Sequence, residues 1–205
     1  QASVPLSIEN FKKSSKANLI SSINVIDYCS TEKIPLVYAS SSAVYGSLEL
    51  GDDEVNNVDL LSPYAADKFS VELYANVANK LNDLSSVGLR FFNVYGPRQD
   101  PSSPYSGVIS IFVDRIINNK PITINGGHQT RDFIYVDDVV NCIYRSLLLA
   151  SGKTVSEVVN ILTGVSTSID NLVVILSQKI GHSVSKKYQS LEKGDVEQSS
   201  GTQKK

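Results

Sequence analysis

The sequence predicts an α/β fold built on a parallel sheet, and three observations predict it. Helix-like and strand-like segments alternate through the first hundred residues, the order that crossover helices between parallel strands produce. The strands are short continuous apolar runs, as expected of strands buried on both faces. The 205 residues are 41% hydrophobic and 20% charged, enough for a true core in a soluble protein.

In order, residues 10–33 read as a helix, with Leu19, Ile23 and Ile26 at i, i+4 and i+7 and Pro35 closing it. Leu36-Val37-Tyr38-Ala39 reads as a buried strand running into the Ser-rich loop Ser40–Gly46. A polar loop, Ser47 to Leu60, carries Asp52, Asp53 and Glu54, which read as a solvated acidic stretch. Ser62-Pro63 supplies an N-cap and a first-turn proline for a helix to about Asn82. Val87 to Phe92 is the next strand, ended by Tyr95-Gly96-Pro97-Arg98. Strand carboxyl ends in such sheets collect functional residues, so Ser40–Gly46 and Asn93–Arg98 belong on one rim.

The texture changes at Asp100. Residues 107–119 read as an amphipathic helix, Pro121 to Ile124 as a short strand turned by Gly126-Gly127, and 137–150 as a helix with Val140, Ile143 and Leu147 on one stripe. A strand over 158–162, a helix over 168–180 stopped by Gly181 and a short strand over 184–188 follow. The segment from Gly194 to Lys205 is polar and poor in apolar residues, which predicts disorder. This divides the chain into 1–99, 100–194 interleaved with it, and a polar tail at 195–205.

Composition excludes some functions. Nineteen Lys and Arg against twenty-one Asp and Glu give a net charge of -2, no basis for nucleic-acid binding. No apolar run approaches the roughly 18 residues that span a bilayer. Cys29 and Cys142 stand far apart, fitting reduced thiols in the cytoplasm, and with His128 and His182 unpartnered no metal site is expected. The chain contains no Met and starts Gln1-Ala2-Ser3-Val4-Pro5, as a mature chain or one cut from a longer protein would.

The strongest local signal is Tyr64-Ala65-Ala66-Asp67-Lys68. Positions i and i+4 of a helix stand one above the other, so Tyr64 presents its phenol beside the Lys68 ammonium. A nearby cation favours phenolate and draws the pKa from about 10 toward neutrality, making a usable general base. Upstream, Ser40, Ser41 and Ser42 place three hydroxyls at a strand end, where they can bond a substrate hydroxyl and pass on its proton. Downstream lie Arg90-Phe91-Phe92-Asn93-Val94-Tyr95-Gly96-Pro97-Arg98 and Gln129 to Asp138. Arg131 suits phosphate oxygens through its fork, or an ion pair with Asp132 or a neighbour.

These four blocks, in this order, resemble the extended short-chain dehydrogenase/reductase family, and within it the NAD-dependent nucleotide-sugar epimerases and dehydratases. The resemblance implies a partial Rossmann-like sheet lacking two to three N-terminal βαβ units, since no Gly-rich phosphate-binding turn occurs and all twelve glycines lie at position 46 or later. It implies catalytic roles for Ser41, Ser42, Tyr64 and Lys68, with Tyr64 and Lys68 also binding NAD. Dehydratases carry an Asp-Glu pair where this chain has Ser42-Ala43, so 4-epimerisation is expected rather than water loss.

The stretch from Asp100 to Gly126 resembles the UDP-N-acetylglucosamine 4-epimerase branch. By that resemblance Asn93 contacts diphosphate or sugar, Gly107 and Val108 cover the nucleotide, Thr123 and Asn125 frame uracil, and Arg131 meets a phosphate. Asp195 faces the ribose, and the small Ser199 leaves room for an N-acetyl group. Glu192 stands where the family usually has a phosphate-binding Arg. The resemblance further implies a UDP-sugar substrate, service to cell-surface polysaccharide synthesis and a homodimer through helices 10–33 and 63–82. The alternatives are a truncated, inactive relative that only binds partners, and an ordinary dehydrogenase.

Overall fold

A computed structural model describes residues 1–55, 57–103, 105–191, 194–202 and 204. In chain order the elements are α1 (Val4–Glu9), α2 (Phe11–Ser15), α3 (Ser21–Thr31), β1 (Leu36–Ser41), α4 (Pro63–Asn82), β2 (Ser86–Phe91), β3 (Asn93–Tyr95), α5 (Val108–Ile117), β4 (Ile122–Asn125), β5 (Thr130–Tyr135), α6 (Val136–Gly152), β6 (Ser156–Ile161), β7 (Ser166–Ser168), α7 (Ile169–Ile180), β8 (Lys186–Gln189) and β9 (Gln198–Ser199).

The central sheet is parallel, in the order β1-β2-β6, with Leu36 opposite Ser86 and Val87 opposite Glu157. Strand alternation divides its side chains between two helical layers. On one face Leu36 and Tyr38 meet α3 and α4 around Ile26, Cys29, Val71, Ala75 and Leu84. On the other, Val37, Val87 and Leu89 meet α6 around Val139 and Ala150. A second core joins α5, α7 and β4 through Phe112, Ile116, Ile122, Ile124, Leu172 and Val173. β5 bridges the two parts: it pairs with β3 in parallel, with β7 antiparallel and with β9 in parallel.

Several expectations are corrected. The helix at 10–33 is two α-helical pieces, α2 and α3, joined by a π-helical turn at Lys16–Ile20 and preceded by α1. Asn10 is non-helical, with φ -146° and ψ 82°, and its side chain caps α2 by accepting from the Lys13 amide. In the π turn, the Ser21 and Ser22 hydroxyls donate to the Lys16 and Asn18 carbonyls and loosen the regular ladder. The tail is ordered through Ser199, because β9 finds backbone partners on β5, and Gly201 bridges to Gly51. Polar composition could not reveal these long-range backbone pairs. Asp53 is buried rather than solvated, its Oδ2 accepting from the Asn160 amide at 2.8 Å.

The stripe on α6 is also reversed. Val140 and Leu147 are 55% and 44% exposed, while Val139 is 5% exposed and packs on the sheet with Cys142 and Ala150. The helix is apolar on both faces, so periodicity did not identify the inward one. Among the described residues, no helix is long and apolar enough to cross a membrane.

Candidate active site

β1 ends at Ser40 and Ser41, and the chain then turns through a 3-10 segment at Ser42–Tyr45. The Ser41 hydroxyl caps this turn by accepting from the Ala43 amide at 3.1 Å, which leaves its own O–H free to donate. Gly46 follows at φ +53°, and a Cβ there would lie 1.9 Å from the Asp59 carbonyl oxygen, so only glycine closes the turn.

Ser62 caps α4 by accepting from the Ala65 amide at 3.1 Å, with Pro63 in the first turn. Tyr64 is therefore held at the helix start, its amide donating to the Ser7 hydroxyl at 3.2 Å. Steps of four residues put Tyr64, Lys68 and Glu72 on one stripe of α4. The stripe follows the end of β1. Lys68 Nζ donates to the Ala39 carbonyl at 2.8 Å, and Glu72 Oε1 accepts from the Ser40 hydroxyl. Lys68 Nζ lies 5.8 Å from the centroid of the Tyr64 ring.

These groups open onto a cavity of about 510 Å³. Ser41, Ser42, Tyr64 and Lys68 line it together with Asn93, Gly107, Val108, Arg131, Asp195 and Ser199. β3 carries Asn93, whose Nδ2 donates to the Asp132 carbonyl at 2.9 Å. β5 carries Arg131, whose Nη1 donates to the Thr130 carbonyl at 2.9 Å. β9 pairs with β5 at Arg131 and so brings Ser199 to the wall. Gly194 sits at φ +90°, where a Cβ would lie 2.8 Å from Ile8 Cδ1.

Thr123 and Asn125 do not line this cavity. Ile122 and Ile124 of the same strand bury into the second core, so alternation turns Thr123 and Asn125 the other way. Asn125 Oδ1 accepts from Gln189 Nε2 at 2.7 Å. The alternative pairing of Arg131 with Asp132 is not formed. The Asp132 carboxylate is buried and accepts from the Thr163 amide and hydroxyl and the Gly164 amide at 2.7–2.9 Å. Glu192 lies outside the described residues. Among the described residues, no three His, Cys, Asp or Glu side chains could hold a metal ion.

The electrostatics correct the expectation for Tyr64. Burial pushes the phenol above its ordinary pKa, and the Ser41 hydroxyl opposes this. Burial prevails although Lys68 Nζ, which donates to the Ala39 carbonyl, lies 5.8 Å from the ring centroid. Burial pulls Lys68 below its ordinary value, against the Asp67 carboxylate. Burial likewise lowers Arg131, with Asp195 acting in the opposite sense. The cavity thus holds two desolvated cations, which favours an anionic ligand.

Behind the cavity lies a buried network that the sequence reading did not find. Arg90 Nε donates to Glu72 Oε1 at 2.9 Å, Nη2 to Oε2 at 2.6 Å and Nη1 to Tyr45 Oη at 2.7 Å. Tyr45 Oη donates to Asn160 Oδ1 at 2.8 Å, and Asn160 Nδ2 donates to the Gly51 and Thr202 carbonyls at 3.1 Å. An arginine inside the otherwise apolar strand Val87–Phe92 was the available signal.

Similarity to known proteins agrees with this geometry. A family model described as the NAD dependent epimerase/dehydratase family matches residues 1–161. A putative UDP-glucose 4-epimerase of Methanocaldococcus jannaschii is 38% identical over 200 residues, covering 96% of this chain and 64% of that protein. The structure of a UDP-N-acetylglucosamine 4-epimerase from Methanobrevibacter ruminantium, in complex with UDP-N-acetylmuramic acid, superposes with a TM-score of 0.91 at 35% identity. That match covers 99% of this chain and 65% of the neighbour. The UDP-glucose 4-epimerase of Thermus thermophilus, solved with NAD, gives 0.87 at 30% identity over 98% of this chain and 66% of the neighbour. The chain spans 64–66% of the length of these three proteins.

Proposed function

Because the chain belongs to the NAD dependent epimerase/dehydratase family, we propose that it carries the catalytic Ser-Tyr-Lys part of a UDP-sugar 4-epimerase. UDP-N-acetylglucosamine and its galacto epimer are the preferred pair. The observation that carries the reading is the convergence of Ser41, Tyr64 and Lys68 on one cavity with Arg131. The residues present fit the nicotinamide-ribose end of NAD: Lys68 faces the cavity, and its bond to Ala39 engages one of three N–H donors, leaving donors for ribose hydroxyls. When bound, NAD would accept the hydride from C4 of the sugar and return it to the opposite face.

The chain's residues supply binding and proton handling. Tyr64 Oη takes the proton of the sugar 4-hydroxyl and later returns one. Ser41, free to donate, orients that hydroxyl and stabilises the phenolate, with Ser42 beside it. Lys68 holds the ribose and adds positive charge beside Tyr64. Arg131 matches a phosphate of the diphosphate through its fork. Asn93 bonds diphosphate or sugar, Gly107 and Val108 cover the nucleotide, and Asp195 meets the ribose. The short Ser199 side chain leaves room for an N-acetyl group, which favours the acetylated sugar. Thr123 and Asn125 retain no part in this scheme, since they lie away from the cavity.

The protein would work in the cytoplasm, which the free thiols of Cys29 and Cys142 favour. A homodimer through α3 and α4 is supported by exposed apolar residues on both, among them Tyr28, Leu73 and Val77.

The test is a proton NMR time course of the purified chain with NAD and UDP-N-acetylglucosamine. The anomeric signal of the galacto epimer should appear, and Tyr64→Phe should abolish it. A folded, NAD-loaded chain that leaves the sugar unchanged refutes the reading for this chain.

A further inference from the structure

We propose that Glu72, locked by Arg90, is a positioning residue for the reaction proposed above, holding the Ser41 hydroxyl against the Tyr64 phenol through Ser40; the inference rests on the epimerase reading. The catalytic groups come from two elements, the end of β1 and the first turns of α4. Two side-chain bonds fix one against the other: Lys68 to the Ala39 carbonyl, and the Ser40 hydroxyl to Glu72. The first involves a group that must also bind a ligand. The second is dedicated to the join.

Glu72 is well suited to that task. It is 5% exposed and Arg90 is 2% exposed, and the guanidinium fork holds both carboxylate oxygens. A carboxylate gripped at both oxygens cannot swing, so its bond to Ser40 is a fixed point. Ser40 and Ser41 are adjacent, with Cα atoms about 3.8 Å apart. Any slip of Ser40 along α4 therefore moves Ser41. Arg90 extends the same grip to Tyr45, which closes the turn carrying Ser42. A buried ion pair is weak evidence for stability alone, since apolar residues of similar volume often serve as well. Placement is what this one supplies. Reaction geometry is demanding, and a displacement of about 1 Å can cost on the order of a hundredfold in rate.

Two variants test the proposal. Ser40→Ala deletes one hydroxyl and leaves the Glu72–Arg90 pair in place, and Ser40→Thr keeps the hydroxyl. Each is assayed in NAD-loaded protein for kcat and KM. Independently of turnover, the carbon-13 resonance of the Tyr64 phenol carbon is followed in tyrosine-labelled protein, assigned by its loss in Tyr64→Phe. Ser40→Ala should lower kcat about tenfold, leave KM for the UDP-sugar within about twofold, and shift the Tyr64 resonance. Ser40→Thr should restore both. A Ser40→Ala protein that melts lower yet keeps wild-type kcat and the wild-type resonance overturns the proposal, leaving Glu72 a packing contact. If the wild-type protein turns over no UDP-sugar, the epimerase reading fails separately and the resonance decides alone. Shifted and rescued by Thr, it supports positioning by Ser40; unmoved, it overturns it.

Discussion

Replacing Arg90 with Met should be among the most damaging single changes outside the cavity wall. Arg90 and Glu72 are almost fully buried, and the guanidinium makes three hydrogen bonds at 2.6–2.9 Å. Met fills a similar volume, so cavity formation is a minor cost. The loss is electrostatic: Glu72 keeps only the Ser40 hydroxyl, and the Tyr45 oxygen loses a donor. Breaking a buried pair on one side costs about 3–5 kcal/mol. At about 2–4 °C per kcal/mol for a chain of this size, the melting temperature should fall by roughly 6–20 °C. Glu72→Leu together with Arg90→Met should recover most of this. Ser40 then lacks its partner at about 1 kcal/mol, so the double variant should lie within about 2 kcal/mol of wild type. Urea melts at pH 7, followed by far-ultraviolet circular dichroism, measure the cycle. A single variant losing under about 1 kcal/mol, or a double variant whose loss is the sum of the two single losses, refutes the electrostatic account.

Four further outcomes are expected. Burial lowers the Lys68 pKa, so the unfolded chain binds the extra proton, and the penalty is present at neutral pH and fades as pH rises toward about 10.4. Lys68→Met should therefore raise the melting temperature at pH 7 and lose that advantage above pH ~10.4; a lower melting temperature at pH 7 contradicts this. Burial raises Tyr64 above its ordinary value, so its stability contribution is intact below pH ~10 and lost as pH rises through the folded pKa. Absorbance titration at 295 nm should show the component that Tyr64→Phe removes only above pH ~10 in the ligand-free chain. Gly194→Ala should cost about 1–3 kcal/mol for its φ of +90°, read by thermal melting. Leu73→Lys with Val77→Lys should reduce self-association of the purified chain in light scattering without lowering its melting temperature, because both side chains are exposed.

Local physics made much of the fold legible. Ser62-Pro63 starts α4 where capping and a first-turn proline place it, and Gly181 ends α7 in a left-handed conformation. β1 and β2 appear where apolar runs mark them. What escaped depends on distant partners. β9 has almost no strand signal of its own and exists because β5 offers it a backbone edge. β5 was hidden because Arg131 and Asp132 make it look like a loop, although Asp132 is spent entirely on the Thr163–Gly164 turn. The inward face of α6 was misread because both faces are apolar. Within the site, the spacing of Tyr64 and Lys68 fixed their common face, but Glu72 lay one further turn along the same stripe. Its partner, Arg90, stood as a lone charge in a buried strand. The two could be connected only by knowing that β2 runs beneath α4.

The Tyr64 pKa separates geometry from reactivity. Helical spacing brings an ammonium to within 5.8 Å of the phenol ring, yet the ligand-free chain leaves the phenol above its ordinary value. Burial of the phenol is the main cause, and the same burial disfavours the charge on Lys68. A general base works best with a pKa near the operating pH. Moving Tyr64 there requires a ligand that engages the remaining Lys68 donors and fixes the cation beside the phenol, together with a Ser41 hydroxyl aimed at the oxygen rather than at solvent. Under the positioning proposal, Ser40, Glu72 and Arg90 supply the second condition. The first is met only when the cavity is filled. In the proposed reaction, activation on binding would keep an empty site from holding a buried phenolate, and Tyr64 would become a base only with the sugar hydroxyl in reach.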